Sequence, residues 1–426
     1  MAKDKNGNSA IPDNRMHAKG VGQQQRILWA AMFAQGIGGR RGLPYVLVGQ
    51  PGSAKTSVLK QLSKKAGLPF EGVLGSLRSP VDFNGVPVPQ RRKLTAADQH
   101  LDPDGGSEFL YMHYAPAGFA VRSAAAAGGR SMVLFDEVNT CPPSVQAALL
   151  RVLFEGVVGE MELPPGVRMM LAMNETKDAA GGWDIAPPLA NRMGWLDWQA
   201  PDVQGFTQYI LTGGKMDMDG DAIDPITEEK AVDARWDSAW AKASGEITGF
   251  LHRIPSKLLE MPKMGKGSSR QWPSPRTWEF AIRAHTASYV YDLTELERAQ
   301  AVSAYVGTGA YSEFFQWRKD NDLPDPELLL DGGTTFKHNP ARLDRTAAVL
   351  TSCTGLVTPE NAPKRKERNE RLWTLLKDMT DTAADVCLPS VVALCQSRLM
   401  LGCTPAYKVL AALEPVMSAA GLSRVS

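Results

Sequence analysis

The chain has 426 residues, of which 43% are hydrophobic and 22% charged, and its formal net charge is +1. These values are typical of a globular protein with two or three domains, and the near-zero charge gives no argument for an obligate nucleic-acid partner. No apolar run approaches the roughly 18 residues that a membrane-spanning helix needs, so we expect no membrane partner.

The N-terminal residues 1–19 are polar and lack the apolar core of a signal peptide, so we expect a flexible leader there. The five cysteines form no C-x-x-C pair, and the six histidines are scattered along the chain. Zinc and disulfide frameworks are therefore poor interpretations, and we expect core cysteines and a cytoplasmic location.

From residue 20 to residue 204, short apolar runs alternate with helical patterns, which predicts an α/β fold with a parallel αβα sheet. The predicted helices are 24–34, 56–66, 118–127 and 144–154, and the predicted strands are 45–48, 131–135 and 168–173. Two inserted β-hairpins are predicted at 83–112 and 157–163.

The composition changes to Gly, Asp, Lys and Met over 205–265, which predicts an irregular connector or insertion. Helical patterns then predict a helical lid at 266–320 and a further, mostly helical C-terminal region at 321–426. A proline at 275 fixes the start of one lid helix.

A glycine-bearing loop follows the apolar run Tyr45–Val48 and precedes a helical pattern, which is the context that a phosphate-binding loop requires. Backbone N–H groups of such a loop point at an anion, and Lys55 and Thr56 are placed for phosphate oxygens and Mg²⁺. The nucleotide-binding candidates in this loop are Gly49, Pro51, Gly52, Ser53, Ala54, Lys55, Thr56 and Ser57.

One position departs from the G-x-x-x-x-G-K-[ST] pattern, because Ala54 stands before the lysine where the pattern has glycine. Alanine is the next smallest residue. The close approach of a phosphate is therefore retained if the backbone at Ala54 keeps a negative φ.

Polar residues follow the next two buried strands. Asp136 and Glu137 close the strand 131–135, and Asn174 closes the strand 168–173. Because ligands collect at the carboxyl ends of parallel strands, Asp136 can hold Mg²⁺ and Glu137 can polarise a water for attack on a γ-phosphate. Asn174 is then a candidate for positioning that water.

Two arginines are candidates for offsetting the charge of the transition state. Arg192 follows Pro187-Pro188 and is a candidate arginine finger supplied to the nucleotide of a neighbouring subunit. Arg276 stands at the proline-fixed helix start, from which it would face the γ-phosphate.

This ordered set of motifs resembles the AAA+ ATPases and, within them, the MoxR group. Ala54 before the lysine matches a habit of that group, and the two predicted hairpins fall where the group carries its insertions. Gly20-Val21-Gly22-Gln23 looks like the group's adenine-side element, which makes Val21 and Gly22 nucleotide-binding candidates.

The resemblance implies a hexameric ring that binds ATP or ADP with Mg²⁺ and remodels or activates a partner protein, often a von Willebrand factor A domain protein. It also implies that Asn174 is sensor 1, Arg192 the trans finger and Arg276 sensor 2. One departure concerns the finger: the family usually has an aromatic residue where this chain has Met193.

Two other functions stay open at this point. The first hairpin contains Arg91, Arg92 and Lys93, so it could grip DNA in a nucleic-acid motor or loader, although the net charge argues against this. A non-hydrolysing nucleotide switch is the other alternative. Intact Lys55, Asp136 and Glu137 argue against the switch, because loss of the base is the simplest route to it.

Overall fold

The computed structural model describes residues 22–93, 95, 108–175, 182–212, 221–262 and 270–419. The described residues divide into two compact units. One comprises the residues up to 227 together with Arg270, and we call it the αβ unit; the other comprises 228–262 and 271–419, and we call it the helical unit. The predicted leader 1–19 and the candidate Val21 lie outside the described residues.

The αβ unit contains nine strands and seven of the helices in the described residues. The helices are α1 (Gln23–Phe33), α2 (Lys55–Lys65), α3 (Pro80–Asn84), α4 (Gly118–Ala125), α5 (Pro143–Glu155), α6 (Pro187–Ala190) and α7 (Val203–Leu211). The strands are β1 (Tyr45–Val48), β2 (Phe70–Leu74), β3 (Val86–Lys93), β4 (Glu108–Ala115), β5 (Ser131–Asp136), β6 (Val157–Val158), β7 (Met161–Glu162), β8 (Val167–Met173) and β9 (Gly194–Asp197).

Five of these strands form one parallel sheet in the order β2-β5-β8-β1-β9. The predicted α/β fold is confirmed, and the three strands that the sequence predicts are the three central ones. These strands are almost entirely buried and therefore read as continuous apolar runs. The edge strands β2 and β9 were not predicted. In β2 only Val73 is buried, so its residues carry little apolar signal.

Both predicted hairpins are present. Strand β3 pairs antiparallel with β4 from Val86 opposite Ala115 to Lys93 opposite Glu108, and β6 pairs with β7. Every residue of β3 is exposed. Since Pro87 and Pro89 have no N–H to donate, the outer edge of β3 is poorly suited to pairing with a further strand.

The helical unit contains the remaining helices of the described residues. They are α8 (Pro225–Arg253, in this unit from residue 228), α9 (Pro275–Val290), α10 (Glu295–Lys319), α11 (Pro326–Asp331), α12 (Leu343–Val357), α13 (Arg365–Met379), α14 (Ala384–Gln396) and α15 (Thr404–Ala419). The predicted helical character of the C-terminal region is confirmed. The predicted domain boundaries stay predictions.

The interpretation of 205–265 as irregular is wrong over most of its described length, because α8 alone has 29 residues. Two glycines inside α8 contributed to the error, since glycine is a poor helix former. Their role is packing: a Cβ on Gly245 would lie 2.5 Å from the Ala348 carbonyl oxygen, and one on Gly249 would lie 2.6 Å from the Ala348 Cβ. The two glycines let α8 approach α12 closely.

A large apolar core holds α11 to α15 together, with Trp373 and Leu376 fully buried within it. Four of the five cysteines belong to this core, and Cys141 is buried in the αβ unit, which confirms the prediction of core cysteines. Within the described ranges, every helix falls short of the length and apolarity that crossing a membrane requires.

Candidate nucleotide-binding and catalytic site

The predicted phosphate loop joins β1 to α2. Helix α2 begins at Lys55, and the preceding residue, Ala54, has φ 66° and ψ 19°. The condition of a negative φ at Ala54 is therefore not met. The left-handed conformation costs an L-residue with a Cβ about 1–2 kcal/mol, and such strain is common at functional sites. Gly52 also has a positive φ, of 76°, where glycine carries no such cost.

The residues of the loop differ in how exposed they are. Pro51, Gly52, Thr56 and Ser57 are exposed, whereas Gly49, Ser53 and Lys55 are buried. The first N–H groups of a helix have no partner inside the helix, and its N-terminus carries partial positive charge. The N-terminus of α2 can therefore receive a phosphate, which fits the loop predicted from the sequence.

The Lys55 ammonium lies inside the loop. It donates to the carbonyl oxygens of Gly49 and Gln50, at 2.8 and 3.0 Å, and to Asn174 Oδ1 at 3.2 Å. Burial lowers the pKa of Lys55, and the nearby Asp136 carboxylate opposes this effect. Lys55 thus connects the loop to the carboxyl end of β8.

Thr56 and Asp136 present oxygen atoms side by side. The Thr56 hydroxyl donates to Asp136 Oδ2 at 2.6 Å, and Asp136 Oδ1 accepts the Glu137 N–H at 2.9 Å. A hydroxyl and a carboxylate are the type of oxygen ligand that Mg²⁺ prefers in sites shared with phosphates. The pair therefore fits the predicted metal site.

Glu137 follows β5 in a left-handed conformation, with φ 57° and ψ 40°. Ser76 donates its hydroxyl to Glu137 Oε2 at 2.8 Å, and the Thr140 hydroxyl donates to the Glu137 carbonyl oxygen at 2.7 Å. Thr140 thus holds the strained backbone of Glu137, and Ser76 holds its carboxylate near the end of β2. The nearby Cys141 thiol is no competing nucleophile, since burial and the Glu137 charge raise its pKa to about 11.

Asn174 completes the group at the end of β8. Its side-chain oxygen accepts from Lys55, and its backbone carbonyl accepts from Asn139 Nδ2 at 3.0 Å. The structure thus brings together Lys55, Thr56, Asp136, Glu137 and Asn174 at the carboxyl ends of neighbouring strands. Their chemical roles stay predictions.

The two arginine candidates belong to different units, Arg192 to the αβ unit and Arg276 to the helical unit. Arg192 is half-buried, donates to the Pro188 carbonyl oxygen at 3.3 Å, and has its guanidinium 5.1 Å from the centre of the Phe154 ring. Arg276 is exposed in the first turn of α9, in the helical unit, and α9 begins at Pro275 as the sequence predicts. Neither role is tested by these contacts.

Gly22 is the described part of the adenine-side candidate and precedes the first residue of α1. The side chain of the neighbouring Gln24 binds the chain at the end of the edge strand β9. Its Nε2 donates to the Asp197 carbonyl oxygen at 2.6 Å, and its Oε1 accepts the Gln199 N–H at 3.0 Å. The start of α1 is therefore fixed against the end of β9.

Sequence reasoning missed three residues that contact the predicted site. Ser76 follows the unpredicted strand β2, Asn139 follows Glu137, and Trp198 follows the unpredicted strand β9 and donates its indole N–H to the Ser53 carbonyl oxygen at 2.8 Å. Ser76 and Trp198 could have been found only by recognising the two edge strands. Polar residues at their carboxyl ends would then have been candidates by position.

A family model matches the segment of the chain that carries this site. Residues 44–193 match the family described as AAA domain (dynein-related subfamily). A candidate ATPase from Cytophaga hutchinsonii, known from a crystal structure, shares 15% sequence identity with a TM-score of 0.43, over 69% of this chain and 84% of that chain. No curated protein matches the chain. Residues 44–193 are thus similar to AAA domains, a family that typically binds nucleotide with Mg²⁺.

Proposed function

We propose, from the similarity of residues 44–193 to AAA domains, that this chain is a Mg²⁺-dependent ATPase that acts as a MoxR-like oligomeric ring and remodels or activates a partner protein. The observation that carries the proposal is the convergence of Lys55, Thr56, Asp136, Glu137 and Asn174. Mg²⁺ would supply charge neutralisation between the phosphates, and the remaining work falls to the side chains of this chain.

Each side chain has a distinct task in this mechanism. The Lys55 ammonium binds phosphate oxygens and withdraws from the loop carbonyls that it contacts. Thr56 and Asp136 hold the metal, Glu137 accepts a proton from the attacking water, and the Asn174 amide orients that water. Ser76 donates to Oε2 of the Glu137 carboxylate, and the carboxylate can keep this hydrogen bond while its other oxygen accepts from the water.

Arg192 is the proposed contribution of the neighbouring subunit. Within its own subunit, Arg192 contacts the Pro188 carbonyl oxygen and the Phe154 ring. An arginine finger supplied by a neighbour makes hydrolysis depend on assembly. In the same scheme Arg276 responds to the γ-phosphate, and a von Willebrand factor A domain protein is the proposed partner.

The test is complementation between two inactive variants, Glu137→Gln and Arg192→Ala. Each variant alone is expected to lose at least about 100-fold in turnover. In a one-to-one mixture, about a quarter of the interfaces combine an intact Glu137 with an intact Arg192, so part of the activity returns. Arg122→Ala, which removes an exposed arginine of the same unit, is the matched control and keeps wild-type turnover.

Specific activity of the wild-type chain is also expected to rise with protein concentration, since the active site is shared between subunits. A mixture that stays inactive, with both variants able to bind ATP, would refute the trans role of Arg192. It would leave the ATP site itself intact.

A second candidate function is a nucleic-acid motor or loader. It is favoured by three consecutive basic residues, Arg91, Arg92 and Lys93, on the fully exposed strand β3. Glu108, 3.9 Å from Arg91, offsets part of that charge. Replacing the three basic residues by Ala would abolish salt-sensitive DNA binding in a motor of this kind, whereas a protein remodeller would show no such binding to lose.

A further inference from the structure

Trp198 makes hydrogen bonds at two points, just before the phosphate loop and within it. Its backbone N–H donates to the Val48 carbonyl oxygen at 2.6 Å, just before the loop, and its indole N–H donates to the Ser53 carbonyl oxygen at 2.8 Å, within the loop. The side chain is 8% exposed. Gly49 is also fitted to this residue, because a Cβ there would lie 2.8 Å from the Trp198 carbonyl oxygen.

The indole hydrogen bond is made to the peptide group between Ser53 and Ala54, and Ala54 is the residue with the strained backbone. The carbonyl of Ser53 and the N–H of Ala54 belong to one planar group and point in opposite directions. Holding the Ser53 oxygen on the indole therefore aims the Ala54 N–H the other way. In phosphate loops such backbone N–H groups, in alternating right- and left-handed conformations, bind the anion.

Trp198 is itself rigidly supported. Gln24 of α1 binds the residues on both sides of it, accepting from the Gln199 N–H and donating to the Asp197 carbonyl oxygen. A side chain that positions a site needs support of this kind, because a loosely held partner would follow the loop rather than fix it.

We infer that Trp198 is a positioning residue for nucleotide binding, which holds Ala54 in the left-handed conformation that glycine would adopt freely. The inference rests on the proposed function of the loop. It explains how this chain tolerates alanine before Lys55: the indole hydrogen bond compensates the conformational preference of Ala54. The two positions should therefore be energetically coupled.

The test measures the dissociation constant of fluorescent N-methylanthraniloyl-ADP with Mg²⁺ for the full chain. Trp198→Phe keeps a large ring but loses the N–H, and we expect about fivefold weaker binding, because a smaller fraction of loops is competent to bind. In an Ala54→Gly background the same change should weaken binding less than about twofold, since glycine needs no support.

Trp195→Phe is the matched control. Trp195 lies on β9, the strand that Trp198 follows, is also buried, and donates its indole N–H to the Ala190 carbonyl oxygen at 3.0 Å rather than to the loop. This variant loses an equivalent hydrogen bond and should bind the nucleotide as the wild type does.

Three results would overturn the inference while the wild type binds nucleotide. They are unchanged affinity in Trp198→Phe, an equal loss in the Ala54→Gly background, and an equal loss in Trp195→Phe. If Trp198→Phe does not fold, the inference requires Ala54→Gly to restore folding, and failure to do so contradicts it. A wild-type chain that binds no nucleotide refutes the proposed function itself, which is a separate outcome.

Discussion

In the αβ unit, polar side chains gather at the carboxyl ends of the sheet strands, where Thr56 is exposed and Asp136 and Glu137 are half-buried. In the helical unit, a group of largely buried polar side chains bind one another instead. Glu246 accepts from Tyr289 at 2.7 Å and lies 2.7 Å from the fully buried His285. The first arrangement leaves charges able to meet a ligand; the second seals them within α8 and α9.

Burial also shifts the pKa values of these groups in the helical unit. Burial lowers the pKa of His285, against the opposing effect of Glu246, and burial together with Glu246 raises the pKa of Tyr289. These groups act as a packed polar core between helices. A group with a shifted pKa therefore points to a ligand site where it lies beside side chains that stay accessible, as Lys55 lies beside the exposed Thr56, and to packing where its partners are buried with it.

The largest expected effect tests the proposed nucleotide site of the αβ unit. Lys55→Ala should weaken ATP binding by about 100-fold or more, because it removes a buried charge from the phosphates, two hydrogen bonds to loop carbonyls and one to Asn174. Lys60→Ala, an exposed lysine on the same helix, is the control. Isothermal titration with ATP and Mg²⁺ measures both, and equal affinities in the two variants would contradict the role of Lys55.

The second prediction tests the close packing of α8 in the helical unit. Gly249→Ala should destabilise the helical unit by about 2–3 kcal/mol, because its Cβ would lie 2.6–2.8 Å from atoms of Ala348, Asp344 and Trp317. Gly309→Ala, in α10 with no atom within 4 Å of the added Cβ, should be neutral or stabilising by up to about 1 kcal/mol.

Hydrogen exchange of the helical unit distinguishes these two variants, since its protection reports local stability. If Gly249→Ala and Gly309→Ala had the same effect, close packing would not be the reason for glycine in α8.

What the sequence reveals depends on how each strand is buried. The central strands β1, β5 and β8 are buried on both faces, so their apolar runs and the polar residues that end them could be predicted, including Asp136, Glu137 and Asn174. The edge strands lack that signal, and Ser76 and Trp198 were missed with them. The left-handed Ala54 was also missed, because its conformation depends on tertiary contacts.

The smallest expected effect is on the stability of the helical unit at acid pH. The hydrogen bonds of Arg368 with Asp331, together with Lys364, lower the pKa of Asp331 to about 2 from 3.8. A depressed carboxyl pKa stabilises the fold above its unfolded value, and that contribution is lost as the pH falls from about 4 to about 2. Because solvent screens this exposed carboxylate, Asp331→Asn should cost only up to about 1 kcal/mol at neutral pH and flatten the acid dependence.

Exchange protection of α13 between pH 5 and pH 2.5 measures this contribution. Glu260→Gln, which removes an exposed partner of Lys257, should change protection little. A wild-type acid dependence in Asp331→Asn would show that the Arg368 pair carries none of it.

The central claim is that the group of side chains around Lys55 hydrolyses ATP with Glu137 as the base. The most direct measurement compares ATP affinity and ATP turnover for the wild type and Glu137→Gln under the same conditions with Mg²⁺. We expect Glu137→Gln to bind ATP with an affinity within about threefold of the wild type and to hydrolyse it at least about 100-fold more slowly. Turnover that persists in Glu137→Gln at the wild-type rate would contradict the claim.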